Sequence, residues 1–324
     1  MTTHLPTAQR HPADRILGAH LRHLRECQQE QPATVADRLG ISPESLAAVE
    51  AGRSPMLRRA VRTGEGLSWA RAYGAGRGAA QEWFESVDGH ERHVAAGFAP
   101  EAYFDDGPAW PHRYQIAERE ASRVLLTAGG QVLPVPLQTE EIEEAVWRAT
   151  PGSRPRRRPG SALGALPGTG CVPCQVHRAD LLTDSAALAA WRREVHRTRR
   201  EAFAQRIENP GAPPTIVLLD EAVLRRHTGG RRAHARQMGH LVHLVETTAL
   251  EVRVVAFDSG RTVPTERALL ETGGEVLTVC LSSWDAVYEN APDPRLHDLL
   301  QISLDPGPSV DLLRQAARDA LARP

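Results

Sequence analysis

Apolar residues near the start of the chain recur at helical spacing. Leu17, Leu21 and Leu24 fall at i, i+4 and i+7 within residues 14–27, which puts one apolar stripe on a first helix. Pro32 suits the first turn of a second helix, where a missing N–H costs nothing, and Val35, Ala36 and Leu39 carry its apolar face as far as Gly40. Ile41 then fills a turn. Ser42 is a good N-cap, Pro43 suits the position after it, and Leu46 and Val49 point inward from a third helix ending at Gly52. Three short helices around a glycine turn make the plan of a helix-turn-helix.

Beyond it, weaker helical patterns at 67–73 and 78–87 lead into an irregular acidic stretch, FDDGPAWPHR, and read as a connector. Residues 115–126 look helical, GGQVLPVPLQT looks like a turn with a strand, and 140–149 is helical again. The Pro, Gly and Arg-rich run TPGSRPRRRPGSALGALPGTG, 150–170, reads as an exposed surface loop. A long charged helix follows over 185–206, then a buried strand TIVLL at 215–219, a helix over 233–247 and a strand EVRVVAF at 251–257. Strand, helix, strand in that order favours parallel pairing. EVLTVCL and DAVYEN read as two more strands, and a final helix over 309–322 carries Val310, Leu313, Ala317 and Leu321 on one stripe. The expected fold is α+β, with an all-α helix-turn-helix domain at 14–66, a helical connector at 67–110 and a mixed α/β domain at 111–324.

The 324 residues, 41% apolar, suffice for two modest domains without disulfides, and four cysteines do not suggest a disulfide framework. No run of 18 apolar residues occurs, and MTTHLPTAQRHPADR lacks the apolar centre of a signal peptide, so a cytoplasmic location away from membranes is expected. All 39 basic residues are arginine and the net charge is −1, which does not mark the whole chain as a nucleic-acid binder. Charge therefore has to be counted locally. Residues 14–63 hold eight arginines against six acids.

The run LGAHLRHLRECQQEQPATVADRLGISPESLAAVEAGRSP, 17–55, resembles the helix-turn-helix of the phage-repressor-like, xenobiotic-response-element (XRE) regulators. That resemblance implies an ion pair between Arg25 and Glu50, and it places Pro43, Glu44 and Ala48, with Ser45 beside them, toward base edges. Of these only Glu44 and Ser45 can hydrogen-bond, and Glu44 would accept from cytosine while repelling phosphate. Pro32 stands where the family often has a phosphate-binding glutamine. Arg53, Arg58, Arg59 and Arg62 cluster after the third helix, where contacts to the DNA backbone are made. With Gln31 and Ser42 they complete the candidate DNA-binding set: Gln31, Ser42, Glu44, Ser45, Arg53, Arg58, Arg59 and Arg62.

Three later blocks, VLPVPLQTEEIEEAV (132–146), LLDEAVLRRHTGGRRAHARQMGHLVHL (218–244) and VRVVAFDSG (252–260), resemble in the same order the effector-like domain of antitoxin-like, WhiJ-related regulators of actinobacteria. The resemblance implies a transcriptional regulator, not an enzyme, that binds double-stranded DNA as a homodimer without a cofactor. It further implies control through the C-terminal domain by a small protein partner encoded nearby or by a ligand. Val135 and Pro136 depart from the family's Pro-Gly-Leu-Leu-Gln-Thr segment, and 150–180 is an insertion.

Two rival readings remain: a protein–protein adaptor with a degenerate helix-turn-helix, and an enzyme or redox sensor using Cys171, Cys174 and His177. Those three have zinc-like spacing, but a structural site needs a fourth ligand, nominally His196, Cys27 or Cys280. A redox thiol pair and an inert loop are the alternatives. His227, His234, His240 and His243 crowd one region and read as structural. Asp220 and Glu221 at the end of a strand could be read as a catalytic pair, but adjacent residues at a helix start diverge by about 100°, and an N-cap accounts for the aspartate. Arg154, Arg156, Arg157 and Arg158 read as a solvated linker or as a phosphate-seeking arm. No phosphate-binding loop, dinucleotide fingerprint, nucleophile elbow or HExxH motif occurs.

Overall fold

The computed structural model describes residues 10–74, 103–106, 110–130, 133–149, 185–281 and 286–322. The fold is α+β: a helical N-terminal region, residues 12–72, is followed by a mixed sheet with helices. Two compact units share the chain, the first drawn from residues 1–118, 156–194 and 282–290, the second from 119–155, 195–281 and 291–324. The expected helix at 78–87 and the loop at 150–170 lie outside the described residues.

In the first unit, helices α1 (Pro12–Cys27), α2 (Pro32–Leu39) and α3 (Pro43–Glu50) each open on proline, where the ring's fixed φ suits the first turn. The His11 imidazole caps α1 by accepting the Ala13 N–H at 3.1 Å, and the Ser42 hydroxyl caps α3 by accepting that of Ser45 at 3.2 Å. Gly40, at φ 65, turns the chain between α2 and α3. Leu17, Leu21, Val35, Ala36, Leu46 and Val49 are all buried and form the core of this module, while Leu24 and Leu39 of the same stripe are half-buried. Two short helices, α4 (Met56–Arg62) and α5 (Gly66–Ala72), close it. The three-residue strand β1 (Tyr103–Asp105) pairs antiparallel with Ala286–Glu289, and the directly opposed Phe104 and Tyr288 stack with centroids 6.0 Å apart. Helix α6 (Trp110–Glu120) follows β1.

The approach of α1 to α3 is set by two glycines. A Cβ on Gly18 would fall on the carbonyl oxygen of Val49, and one on Gly52, which sits at φ 66, would lie 2.6 Å from the Arg15 Cα. Neither obstacle is a flexible side-chain tip.

In the second unit the strands run in the order β6 (Glu275–Leu281), β5 (Arg267–Thr272), β2 (Arg123–Ala128), β3 (Thr215–Asp220), β4 (Leu250–Val255). β2, β3 and β4 are parallel, as strand, helix, strand order suggests, while β5 pairs antiparallel with both β2 and β6. Every residue of β3 is buried, the pattern of a central parallel strand covered on both faces. The helices here are α7 (Glu140–Ala149), α8 (Ser185–Glu208, of which 195–208 belong to this unit), α9 (Glu221–Arg225), α10 (Arg231–Thr247), α11 (Pro294–Ile302) and α12 (Pro306–Ala322). Leu125, Ile216, Leu218, Val255 and Val263 form one core cluster with Leu296 and Leu299 of α11. β4 is the edge strand, and its exposed ladder is covered in part: Val254 donates its N–H to the Ser309 hydroxyl at 3.0 Å, and its carbonyl accepts the Leu304 N–H at 2.9 Å.

Three expectations are corrected. Residues 115–126 are not one helix: α6 stops at Glu120 and Val124, Leu125 and Leu126 enter β2, where pairing on both sides overrides leucine's preference for helix. Around 133–139 the described chain makes a 3₁₀ turn, Val135–Leu137, instead of a strand, because Pro134 and Pro136 have no N–H to give a ladder. The strand expected to run to 257 stops at Val255, and Phe257–Ser259 is a 3₁₀ turn.

Replacing Gly18 by alanine gives a test with a definite sign. Helix propensity alone predicts a gain of up to about 1 kcal/mol in a helix interior. The clash with Val49 predicts a net loss of about 1–3 kcal/mol, read as a lower denaturation midpoint at unchanged slope.

Candidate nucleic-acid interface

Glu50 ends α3 and is 6% exposed, so its carboxylate has lost nearly all its water and must be met by protein donors. Arg25 supplies a fork: Nε donates to Oε1 at 2.8 Å and Nη2 to Oε2 at 2.7 Å. The hydroxyl of fully buried Tyr73, just past α5, donates to Oε1 at 3.1 Å. The hydrogen bond to Glu50 holds the Arg25 guanidinium above its ordinary value, and burial followed by the Glu50 charge pushes the Tyr73 phenol up. At neutral pH the guanidinium is therefore a cation and the phenol neutral. Three helices are tied at one carboxylate. Gln28 adds a clasp, its side-chain Nε2 donating to the Tyr73 carbonyl at 2.8 Å. The resemblance pointed to Arg25 and Glu50, whereas Tyr73 was missed because no spacing links a tyrosine at the end of a weak helix to a glutamate 23 positions earlier.

With its C-terminal end fixed, α3 turns its N-terminal end outward. Ser42, Pro43 and Glu44 are exposed and Ser45 half-buried. The Ser42 hydroxyl, then its own backbone N–H, hold the Glu44 carboxyl below its ordinary value, so it presents a negative charge at neutral pH. Gln31 occupies the N-cap of α2, exposed, with no side-chain cap bond. Arg53 and Arg59 are exposed.

Arg58 is placed differently from the expectation for a phosphate-contacting side chain. Its Nε and Nη2 fork onto buried Asp14 at 2.8 and 2.9 Å, and the side chain is only 15% exposed. Asp14 lies in the first turn of α1, so Arg58 ties α4 to α1. Arg38, in the same module, forks onto Glu30 at 2.9 and 2.5 Å. The Arg62 side chain lies outside the described residues, as do Arg154, Arg156, Arg157, Arg158, Cys171, Cys174 and His177.

Several of the remaining candidates have structural partners. His196 Nδ1 lies 2.7 Å from Glu143, which also pairs with Arg200. Cys27 is exposed with its Sγ 3.4 Å from His23 Nε2, and Cys280 is half-buried in β6. Among the described residues no group of three or more His, Cys, Asp or Glu is placed to hold a metal ion. Buried His234 meets the Leu224 carbonyl at 2.9 Å, its ring 5.1 Å from that of His227. Burial, then the charge of His243, lowers the affinity of His240 for a proton. Asp220 caps α9 by accepting the Ala222 N–H at 2.9 Å, while its other oxygen takes the Val263 N–H at 3.1 Å. Glu221 accepts from the Phe257 N–H and from Arg225.

Residues 175–315 match a family model described as a domain of unknown function (DUF5753), less than half of the chain. No curated protein and no solved structure matches the chain. Within the match, Gln237 of α10 reaches the turn that precedes α7: its Oε1 accepts the Thr139 N–H at 2.7 Å and its Nε2 donates to the Leu137 carbonyl at 2.7 Å. Two of the sequence blocks singled out above thus meet through one amide. Among the described residues no helix is long and apolar enough to cross a membrane.

Truncating Glu50 to alanine strands the Arg25 charge and is expected to cost about 3–5 kcal/mol. Tyr73→Phe removes one bond to a charged acceptor and is expected to cost about 1.5–3 kcal/mol. Both are read from denaturant unfolding of the full chain. Equal losses in the two variants would show that the tyrosine, and not the ion pair, holds the three helices.

Proposed function

We propose that the chain is a DNA-binding transcriptional regulator of the antitoxin-like XRE type, acting in the cytoplasm. Residues 14–62 dock on duplex DNA as part of a homodimer, and the second unit binds a small protein partner or a ligand that changes DNA affinity. The observation that carries this reading is the posed helix pair: α3 is locked at Glu50 and offers Ser42, Pro43, Glu44 and Ser45 outward, with Arg53 and Arg59 exposed beyond its end. A helix held that way fits the major groove.

The same geometry says what kind of binding to expect. Few side chains on this face can distinguish base pairs, so affinity comes mainly from phosphate contacts and falls steeply with salt. A dimer strengthens binding, because Arg53 and Arg59, the rim arginines exposed among the described residues, release few counterions per module. A ligand or partner acts by binding one state better than the other, and it shifts DNA affinity only by that difference.

One observation favours the adaptor reading instead: Glu44 stays negative at the point nearest the bases, and Arg38 and Arg58 are neutralised by Glu30 and Asp14. Fluorescence anisotropy with duplex from upstream of the chain's own reading frame, at two salt concentrations, separates the two. Retention at low salt supports the regulator, and no retention there favours the adaptor. For a regulator, Arg53→Ala and Arg59→Ala each reduce the slope of log K against log salt by about 1 per module. Arg58→Ala is expected to lower the unfolding midpoint, because it strips Asp14 of its partner, while leaving the salt slope of the folded fraction unchanged.

A further inference from the structure

The inner side of α1 carries a buried polar network that the interface does not use. His20 is 6% exposed, and its Nδ1 accepts the Arg113 Nε–H at 3.1 Å. This hydrogen bond selects the neutral ring with its own proton on Nε2. Arg113, of α6, is 1% exposed and paired with Asp106, which is 0% exposed and follows β1. The other Asp106 oxygen faces the Tyr288 hydroxyl at 3.5 Å. Two more imidazoles adjoin: His112 of α6 meets His20 edge-on at 5.2 Å between centroids, and His23 of α1 lies 5.5 Å from His112.

Every element packed around His20 brings its own charges. α6 adds Glu118, which accepts the Tyr114 hydroxyl at 3.1 Å. α3 and α4 bring Glu50 and Arg58, engaged by Arg25 and Asp14 elsewhere on α1, and Asn290 accepts from Arg15 at 2.8 Å. Asp106 is itself already paired with Arg113.

We propose that the His20–Arg113–Asp106 network is an acid-sensitive latch on the helix-turn-helix: one solvent proton taken up at His20 Nδ1 breaks the joint between α1 and α6 and loosens the platform that poses α3. The reason is geometric. Protonation turns the acceptor that faces the Arg113 N–H into a second donor, and it sets a second cation against a guanidinium that is already paired. Burial first, then His112, Arg113 and His23, keep the His20 imidazole well below its ordinary 6.5. The folded ring thus resists a proton that the unfolded chain accepts. Stability from this site is complete above 6.5 and is lost as pH falls below it, down through the folded ring's lower value.

The consequence for DNA rests on the function proposed above, but the latch itself does not. The test is a titration of the full chain from pH 8 to 5, following histidine ring signals by NMR and amide exchange over residues 16–21, corrected for the intrinsic rate, with anisotropy on the same duplex in parallel. The expected result is a His20 titration below 6.5 with α1 protection falling about tenfold or more as the ring charges. In His20→Asn, whose Oδ1 keeps an acceptor near the place of Nδ1, α1 protection no longer changes with pH. A His20 ring that titrates at or above 6.5, or α1 protection that stays constant while the ring charges, overturns the latch. Those two wild-type readings decide the matter even if the variant does not fold. Loosening of α1 without duplex binding at any pH keeps the latch and removes the DNA reading.

Discussion

The first unit depends on what happens to one carboxylate. Glu50 sits where α3 ends, deep among helices, and a charge there persists only if donors replace the water it has lost. Arg25 brings a planar fork from α1 and Tyr73 a hydroxyl from just past α5, so the carboxylate at the end of α3 ties three segments together. Replacing this arrangement by well-packed apolar residues could be equally stable. What the charged arrangement adds is a fixed pose: the fork accepts one orientation of α3, and Gly18 and Gly52 allow the backbones close enough to reach it. The outward face at Ser42–Ser45 follows from an inward constraint eight residues away.

The second unit uses hydrogen bonds in a related way, to position segments that have little apolar surface of their own. The proline-rich turn before α7 cannot join a sheet, and its polar backbone is met by the side-chain amides of Gln138 and Gln237. Asp220 joins the end of β3 to Val263 and to the start of α9, so its two oxygens are spent on main-chain N–H groups. Partners of this kind suit a scaffold.

The legible parts of the sequence were those where a period and a boundary agreed. Proline, glycine and serine punctuate the helix-turn-helix, and TIVLL is bounded by GAPP and Asp220, which is why those elements form where expected. The segment SRVLLTA misled because leucine prefers helix, and only pairing with its neighbours β3 and β5 overrides that preference. β5 was overlooked although the signal was there: RALLET and EVLTVCL flank Gly273 and Gly274, at φ 60 and 79, a two-residue hairpin turn of the type that glycine pairs favour. α11 went unread because its short apolar set, Leu296 and Leu299, gains meaning only by docking on the sheet. At the candidate site, the side chains of Arg53 and Arg58 are alike in sequence. Only the fold shows that one is exposed and the other is bound to Asp14.

That last difference changes how charge in this chain should be weighed. With no lysine in the chain, each guanidinium is suited to a carboxylate or to a phosphate, since either can turn two oxygens toward its two-pronged donor. A net excess of arginines over acids in residues 14–63 therefore says little about DNA until the internal pairs are removed. Arg25, Arg38 and Arg58 take Glu50, Glu30 and Asp14 with them, which leaves the overall sum unchanged but moves the field. The three pairs cancel locally, while Arg53 and Arg59 stand exposed after α3 and Glu44 carries a negative charge at the helix's other end. A duplex approaching this surface would meet its phosphates at the rim and a carboxylate at the groove floor. In the proposed docking, attraction would act through the backbone, and Glu44 would disfavour groove edges that offer only acceptors.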